Sequence, residues 1–190
     1  MQTSRLFGVV IIALLILSFS VKGQGTAVVS IAQPTIEIKK SLFYINGIPI
    51  QLPIPAAELE RIIGKSDRSM EGIRKVSTWD KLGLIGYQKV GSEDFIEIGV
   101  ILNVAENTFD FMPGSTYTGL LTVDGAKVTA NSTRDTVNQK KSGGKFKPIP
   151  LVGMLSDYKT GDFYLVMWQK EAPRASRSGK ILQINVAIAP

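Results

Sequence analysis

Short apolar runs in which every second residue is hydrophobic dominate the chain. Ile96, Ile98, Val100 and Leu102 share one side of an extended segment, and Leu182, Ile184, Val186 and Ile188 do the same near the C-terminus. A period of two with one apolar side predicts strands of a sheet that buries one face. Asn46-Gly47 and Asp124-Gly125 each follow an apolar run and predict two-residue hairpin turns, whose central positions take positive φ. Between Pro55 and Ile63 the period becomes helical: Leu59, Ile62 and Ile63 make an apolar stripe, Pro55 can open the helix and Gly64 can end it.

These elements recur in the same order. Leu84-Ile85-Gly86-Tyr87-Gln88-Lys89 lines up with Leu165-Val166-Met167-Trp168-Gln169-Lys170, Tyr44–Gly47 with Thr122–Gly125, and Ile96–Leu102 with Leu182–Ile188. The sequence thus predicts one unit written twice, over 24–106 and 107–190, joined through Glu106–Ser115, where Pro113-Gly114 breaks regular structure. The expected fold class is α+β: two tandem β-rich units, each a hairpin, a short helix and an antiparallel meander, packed as one body. In the second unit Asn131–Gln139 carries one apolar residue, Val137, and reads as a short helix or a loop. Lys140–Lys147 after it reads as a flexible basic segment, and Ala27–Lys40 ahead of the first unit as an added strand.

The start of the chain concerns destination. Arg5, the uncharged run Leu6–Val21 and then Lys22-Gly23 predict an export signal over 1–23, cleaved after Gly23 because Val21 and Gly23 are small. The alternative is an uncleaved N-terminal anchor, although the run is short of the about 20 residues of a spanning helix. No cysteine exists to carry a lipid, and no later run is long enough to cross a membrane.

The chain has 22 basic and 16 acidic residues, a formal charge of +6, and two of the basic residues lie in the leader. So mild an excess excludes a nucleic-acid binder, which concentrates its charge on one face. It is compatible with an acidic protein or an anionic envelope surface as partner. With no cysteine no disulfide framework can form, which for a small exported domain points to a bacterium. Histidine is absent too. That excludes a Ser-His-Asp triad, a Cys-His pair and any zinc site built on histidine. A carboxylate pair, a Ser-Lys arrangement or no chemistry is left, and the expectation is a non-enzyme without metal or cofactor.

Thr78–Tyr87 is the densest local pattern. Trp79 reads either as an exposed contact anchor or as a core residue ending a strand before the turn Asp80-Lys81-Leu82-Gly83. The second unit has Asp157 and Gly161 but no tryptophan at the matching place. Asn46-Gly47, the segment Ile62–Arg68 and Trp79-Asp80-Lys81-Leu82-Gly83 together resemble a family of uncharacterised bacterial domains with a Trp-Asp-x-Leu-Gly signature. The likeness spans Tyr44–Leu102. It implies an α+β domain of bacterial origin and no activity.

Glu93, Asp94 and Glu97 form an acidic cluster that reads as a solvated strand start after the turn Gly91-Ser92. Gly143-Gly144-Lys145-Phe146 lacks the spacing and the Ser or Thr of a phosphate loop. Lys140, Lys141, Lys145 and Lys147, with Arg174, Arg177 and Lys180, can form one positive patch. The contact candidates are therefore Trp79, Asp80, Tyr87, Trp168, Lys145 and Lys147. The leading expectation is a non-catalytic binding or structural protein of the envelope or extracellular space, recognising its partner through a flat or convex patch. An immunity or inhibitor protein against a toxin or hydrolase is one alternative. The other is a carboxylate hydrolase, which calls for two of Glu58, Glu93, Asp94, Glu97, Asp157 and Asp162 facing one pocket.

Overall fold

The computed structural model describes residues 32–107, 109–150, 152–170 and 178–189. The leader, Arg174 and Arg177 lie outside them. The described chain begins with β1 (Ile36–Lys39), β2 (Leu42–Ile45), β3 (Ile48–Ile50), β4 (Ile54–Pro55) and α1 (Ala56–Ile63). Next come β5 (Arg68–Met70), β6 (Lys75–Trp79), β7 (Leu84–Gln88) and β8 (Asp94–Ile101). Beyond a strandless stretch follow β9 (Leu121–Val123), β10 (Ala126–Val128), α2 (Arg134–Lys140), β11 (Lys147–Ile149), β12 (Val152–Thr160), β13 (Phe163–Gln169) and β14 (Ile181–Ile188).

The strands form two sheets. The smaller runs β10-β9-β1-β2-β3; the larger runs β11-β12-β13-β14-β8-β7-β6-β5, with β4 added to β8. The two share one core: Ile38, Phe43 and Val123 of the small sheet cluster with Ile98, Leu165 and Ile184 of the large one, and Phe43 meets Phe163 edge-on at 6.2 Å.

This is a β-rich fold, and the α+β expectation is corrected. The helices have eight and seven residues. At about 1.5 Å per residue neither can form a layer over a nine-stranded sheet, so a second sheet does. Helix α1 lies where its stripe predicts, with Pro55 at its N-cap and Gly64 at its C-cap at φ 89, and it buries only Leu59 and Ile63. The open reading of Asn131–Gln139 resolves as helix α2: Thr133 and Thr136 form a reciprocal capping box, and Val137 is its buried residue.

One-sided burial also needs correcting. Strands β8 and β14 are central, and β14 is buried continuously from Ile181 to Val186. Ile96 is half-buried and Ile188 is 37% exposed, because they lie toward the strand ends. Along the centre β8 and β14 pair antiparallel, with Ile98↔Val186, Gly99↔Asn185 and Val100↔Ile184. The flanking pairs carry parallel registers. Leu84 lies opposite Val100 as Leu165 lies opposite Val186, and both ladders shift at the same step, Tyr87/Gln88 and Trp168/Gln169. Likewise Arg68 faces Thr78 as Lys147 faces Asp157. In these registers Val76 opposite Tyr87 corresponds to Leu155 opposite Trp168, so Trp79 corresponds to Tyr158.

The basic segment is not uniformly a surface. The Lys141 side chain is 0% exposed and its Nζ is 3.1 Å from Asp124 Oδ2. It stands 3.6 Å from the Tyr158 ring centre and donates to the carbonyls of Ser142 and Gly144. Asp124 holds the left-handed turn position at φ 45, and its other oxygen accepts from the Lys40 backbone at 3.1 Å. One ion pair therefore fastens two hairpin turns and the loop after α2. Removing one partner of a buried pair strands the other charge. Lys141→Ala is expected to cost about 3–5 kcal/mol in urea unfolding. Lys145 is exposed, and Lys145→Ala, which removes only bonds to the Asn138 and Lys141 carbonyls, should cost no more than about 1 kcal/mol.

Candidate functional site

The Trp79–Gly83 turn does not line the site; it anchors the neighbouring stretch through Asp80. Trp79 is 1% exposed. Its ring lies 5.7 Å from that of Phe95, and its Nε1 donates to the Gly64 carbonyl at 2.7 Å. It is a core residue, so the contact-anchor reading does not fit its position. Leu82 is buried as well. Gly83 sits at φ 67, and a Cβ there would collide with the Tyr117 backbone, so this turn needs glycine twice over.

Asp80 binds both arms of the Arg68 guanidinium, each at 2.7 Å. It also accepts the Gly114 N–H at 3.2 Å. Arg68 reaches on to the Met112 carbonyl at 2.6 Å and lies 5.0 Å from the Phe111 ring centre. The joint between the halves is thereby held beside the large sheet. The Arg68 hydrogen bonds hold the Asp80 carboxyl below its ordinary value.

Between residues 109–112 and the sheet lies a cleft of about 410 Å³. Its floor carries Ile85 and Tyr87 from β7, Glu97 from β8, Trp168 from β13, and Gln183 and Asn185 from β14. Met70, Arg74 and Val76 line it too, as do Phe109, Asp110, Phe111 and Met112. The Phe109 and Trp168 rings stand at 85° with centres 5.1 Å apart. Burial pushes the Tyr87 hydroxyl up, and the Glu97 charge nearby adds to it.

The polar groups of the floor form one chain. Asn107 donates to Gln183 at 3.3 Å, and Gln183 to Asn185 at 2.5 Å. Asn185 donates to Glu97 Oε1, and Arg74 donates to Glu97 Oε2 at 3.0 Å. Gly99, opposite Asn185, makes room: a Cβ on it would stand 2.7 Å from Asn185 Oδ1 and 2.6 Å from Ile85. Every amide points its donor toward one carboxylate, so the charge of Glu97 is solvated by protein.

The structure brings together two of the six candidates, Tyr87 and Trp168. Trp79 lies in the core, Asp80 forms the clamp, and Lys145 and Lys147 are exposed and do not line the cleft. Of the six acids proposed for a hydrolase pair, only Glu97 lines it. The surface is concave, where a flat or convex patch was expected. Arg74, Phe109, Asp110, Phe111, Gln183 and Asn185 escaped the sequence reading. The available signal was Phe109-Asp110-Phe111-Met112, an apolar run inside a supposed joint. Among the described residues no group of three or more acids could hold a metal ion, and no helix is long and apolar enough to cross a membrane.

Fold and site define a β-rich protein with an apolar cleft at the seam of its central strands. Residues 35–138 match the model of a domain of unknown function, DUF7738. The chain belongs to that family, which agrees with the expectation of an uncharacterised family and does not bear on the Trp-Asp-x-Leu-Gly signature. The match ends within α2, so β13 and β14, which supply Trp168, Gln183 and Asn185, lie beyond it. No curated protein and no solved structure matches the chain.

Two outcomes follow from the clamp and the core tryptophan. Because Asp80 is more acidic in the folded state, its contribution is present above its ordinary value of 3.8 and is lost as pH falls through the lower folded value. Asp80→Asn should flatten the acid limb of a stability–pH curve, by no more than about 1 kcal/mol for so exposed a pair. Trp79→Ala should cost about 3–5 kcal/mol in denaturant unfolding.

Proposed function

We propose that this is an exported, non-catalytic binding protein of a bacterial envelope or the extracellular space, and that the cleft is its binding site. The observation that carries the reading is the pairing of an apolar hollow with a carboxylate whose two oxygens are both engaged, by Arg74 and Asn185. Ligand sites are mostly apolar hollows with a few fixed polar groups. An acid or base needs freedom to exchange a proton with its substrate, and Glu97 is tied to a guanidinium and an amide. Export rests on the pattern of Arg5, Leu6–Val21 and Gly23. Duplication of one unit, which would set the cleft between two copies, is supported by the shared order hairpin, helix, four-strand meander and by the matching registers and ladder shifts.

The chain has two tryptophans, and Trp79→Phe leaves Trp168 as the sole reporter of the cleft. Small apolar and aromatic compounds added to this variant should change its emission saturably. Val76→Phe, which narrows the cleft, should weaken binding about tenfold, the effect of roughly 1.4 kcal/mol. If no compound produces a saturable change, the cleft is not a ligand site. Export is checked separately: protein recovered from a bacterial envelope fraction should begin at Gln24.

A further inference from the structure

We propose that the cleft takes an organic cation with apolar substituents, such as a quaternary ammonium; this rests on the cleft being the binding site. Four rings line it: Tyr87, Phe109, Phe111 and Trp168. The chain has only 15 aromatic residues, 8 Phe, 5 Tyr and 2 Trp, so more than a quarter of them converge here. The face of each ring is the negative end of its quadrupole and attracts a cation within about 6 Å. The same rings bury alkyl groups, which a bare metal ion or a strongly hydrated primary ammonium cannot exploit.

Charge decides between cation and anion. The charged side chains lining the cleft are Glu97, Asp110 and Arg74, two carboxylates against one guanidinium. A monovalent cation brings the cleft to neutrality, whereas an anion doubles the imbalance. The Glu97 side chain is 16% exposed, so its charge is poorly screened, while that of Arg74 is 51% exposed. Water therefore shares the charge of Arg74, while that of Glu97 is directed into the cleft. The fold already stacks cations on rings: at the cleft the Arg68 guanidinium lies on Phe111 at 5.0 Å, which leaves Tyr87, Phe109 and Trp168 for a ligand, and elsewhere the Lys141 ammonium lies on Tyr158 at 3.6 Å. The +6 charge of the whole chain acts over distances at which salt screens it, beyond about 10 Å.

Three probes of similar body and different head test the inference on Trp79→Phe protein: benzyltrimethylammonium, benzyl alcohol and phenylacetate, each followed by Trp168 emission. The cation should bind about tenfold tighter than either other probe, the scale of a desolvated cation–π contact. Glu97→Gln should remove most of that preference and leave benzyl alcohol within about twofold. Arg74→Gln should increase the preference. If the alcohol or phenylacetate binds as well as the cation, the inference falls and the cleft stands as a ligand site. If none of the three moves the emission, both fall. Should Glu97→Gln fail to fold, the order of the three probes on the parent protein still decides.

Discussion

The antiparallel pairing of β8 with β14 is the constraint on which the rest of the molecule depends. Among the described residues it is the link that makes one sheet of the two meanders β5–β8 and β11–β14. Without it each meander would present a long apolar edge, open to pairing with another chain. Both faces of these strands are covered along their centre. The small sheet covers one, and the stretch 109–112 closes over part of the other. Across the pair Gly99 faces Asn185, and the glycine leaves space for the amide that turns toward Glu97. The strand pairing thus sets the register of the sheet and, through it, the floor of the cleft.

The covering stretch is a loop, and loops pack poorly unless their backbone groups are satisfied. Here side chains of the first meander do the satisfying. Arg68 caps the Met112 carbonyl, and Asp80 accepts the Gly114 N–H. Further along, the buried Tyr117 hydroxyl hydrogen-bonds the carbonyls of Pro34 and Leu120, and its burial holds that hydroxyl well above the usual range. Among the described residues the second meander holds the covering stretch at its start, through Lys170 with Glu106 at 3.0 Å and Gln183 with Asn107 at 3.3 Å, and has no bidentate clamp like Arg68–Asp80. Lys147 corresponds to Arg68 in register, but the opposite residue, Asp157, takes the Tyr164 hydroxyl at 2.6 Å. That contact pushes the Tyr164 hydroxyl up to about 12. The stretch 112–114 lies against the first meander because that is where the Met112 carbonyl and the Gly114 amide find partners.

What could be read from the sequence was local. The hairpins at Asn46-Gly47 and Asp124-Gly125 and the helix bounded by Pro55 and Gly64 depend on φ preferences within a few residues. Fold class was misjudged because a helical stripe of three apolar residues says nothing about how much sheet it must cover. The two-sided burial of β8 depends on neighbours far along the chain, and its clean alternation conceals this. Lys141 looked like one of four surface lysines because its partner, Asp124, sits in the β9–β10 turn, with β10 and α2 between them. For the cleft, Tyr87 and Trp168 were found singly, through their matching places in two similar segments. That they share one hollow follows only from β8 and β14 lying between them. Phe109 and Phe111 were hidden by their place in a joint.

The difference between matched positions is what gives the cleft its chemistry. Tyr87 and Trp168 correspond in register, as do Glu97 and Gln183, and Gly99 faces Asn185. With a carboxylate at both of the matched places, the floor would hold two like charges that repel. With an amide at both, the hydrogen-bond chain would have no anion to end on. One Glu and one Gln give a chain in which each donor has an acceptor and the negative charge stays on one side of the seam. A partly satisfied polar network in an apolar hollow is costly, and a fully satisfied one fixes a geometry. The asymmetry therefore turns a nearly symmetric floor into one with a direction: the carboxylate lies beside Tyr87 and the amide beside Trp168.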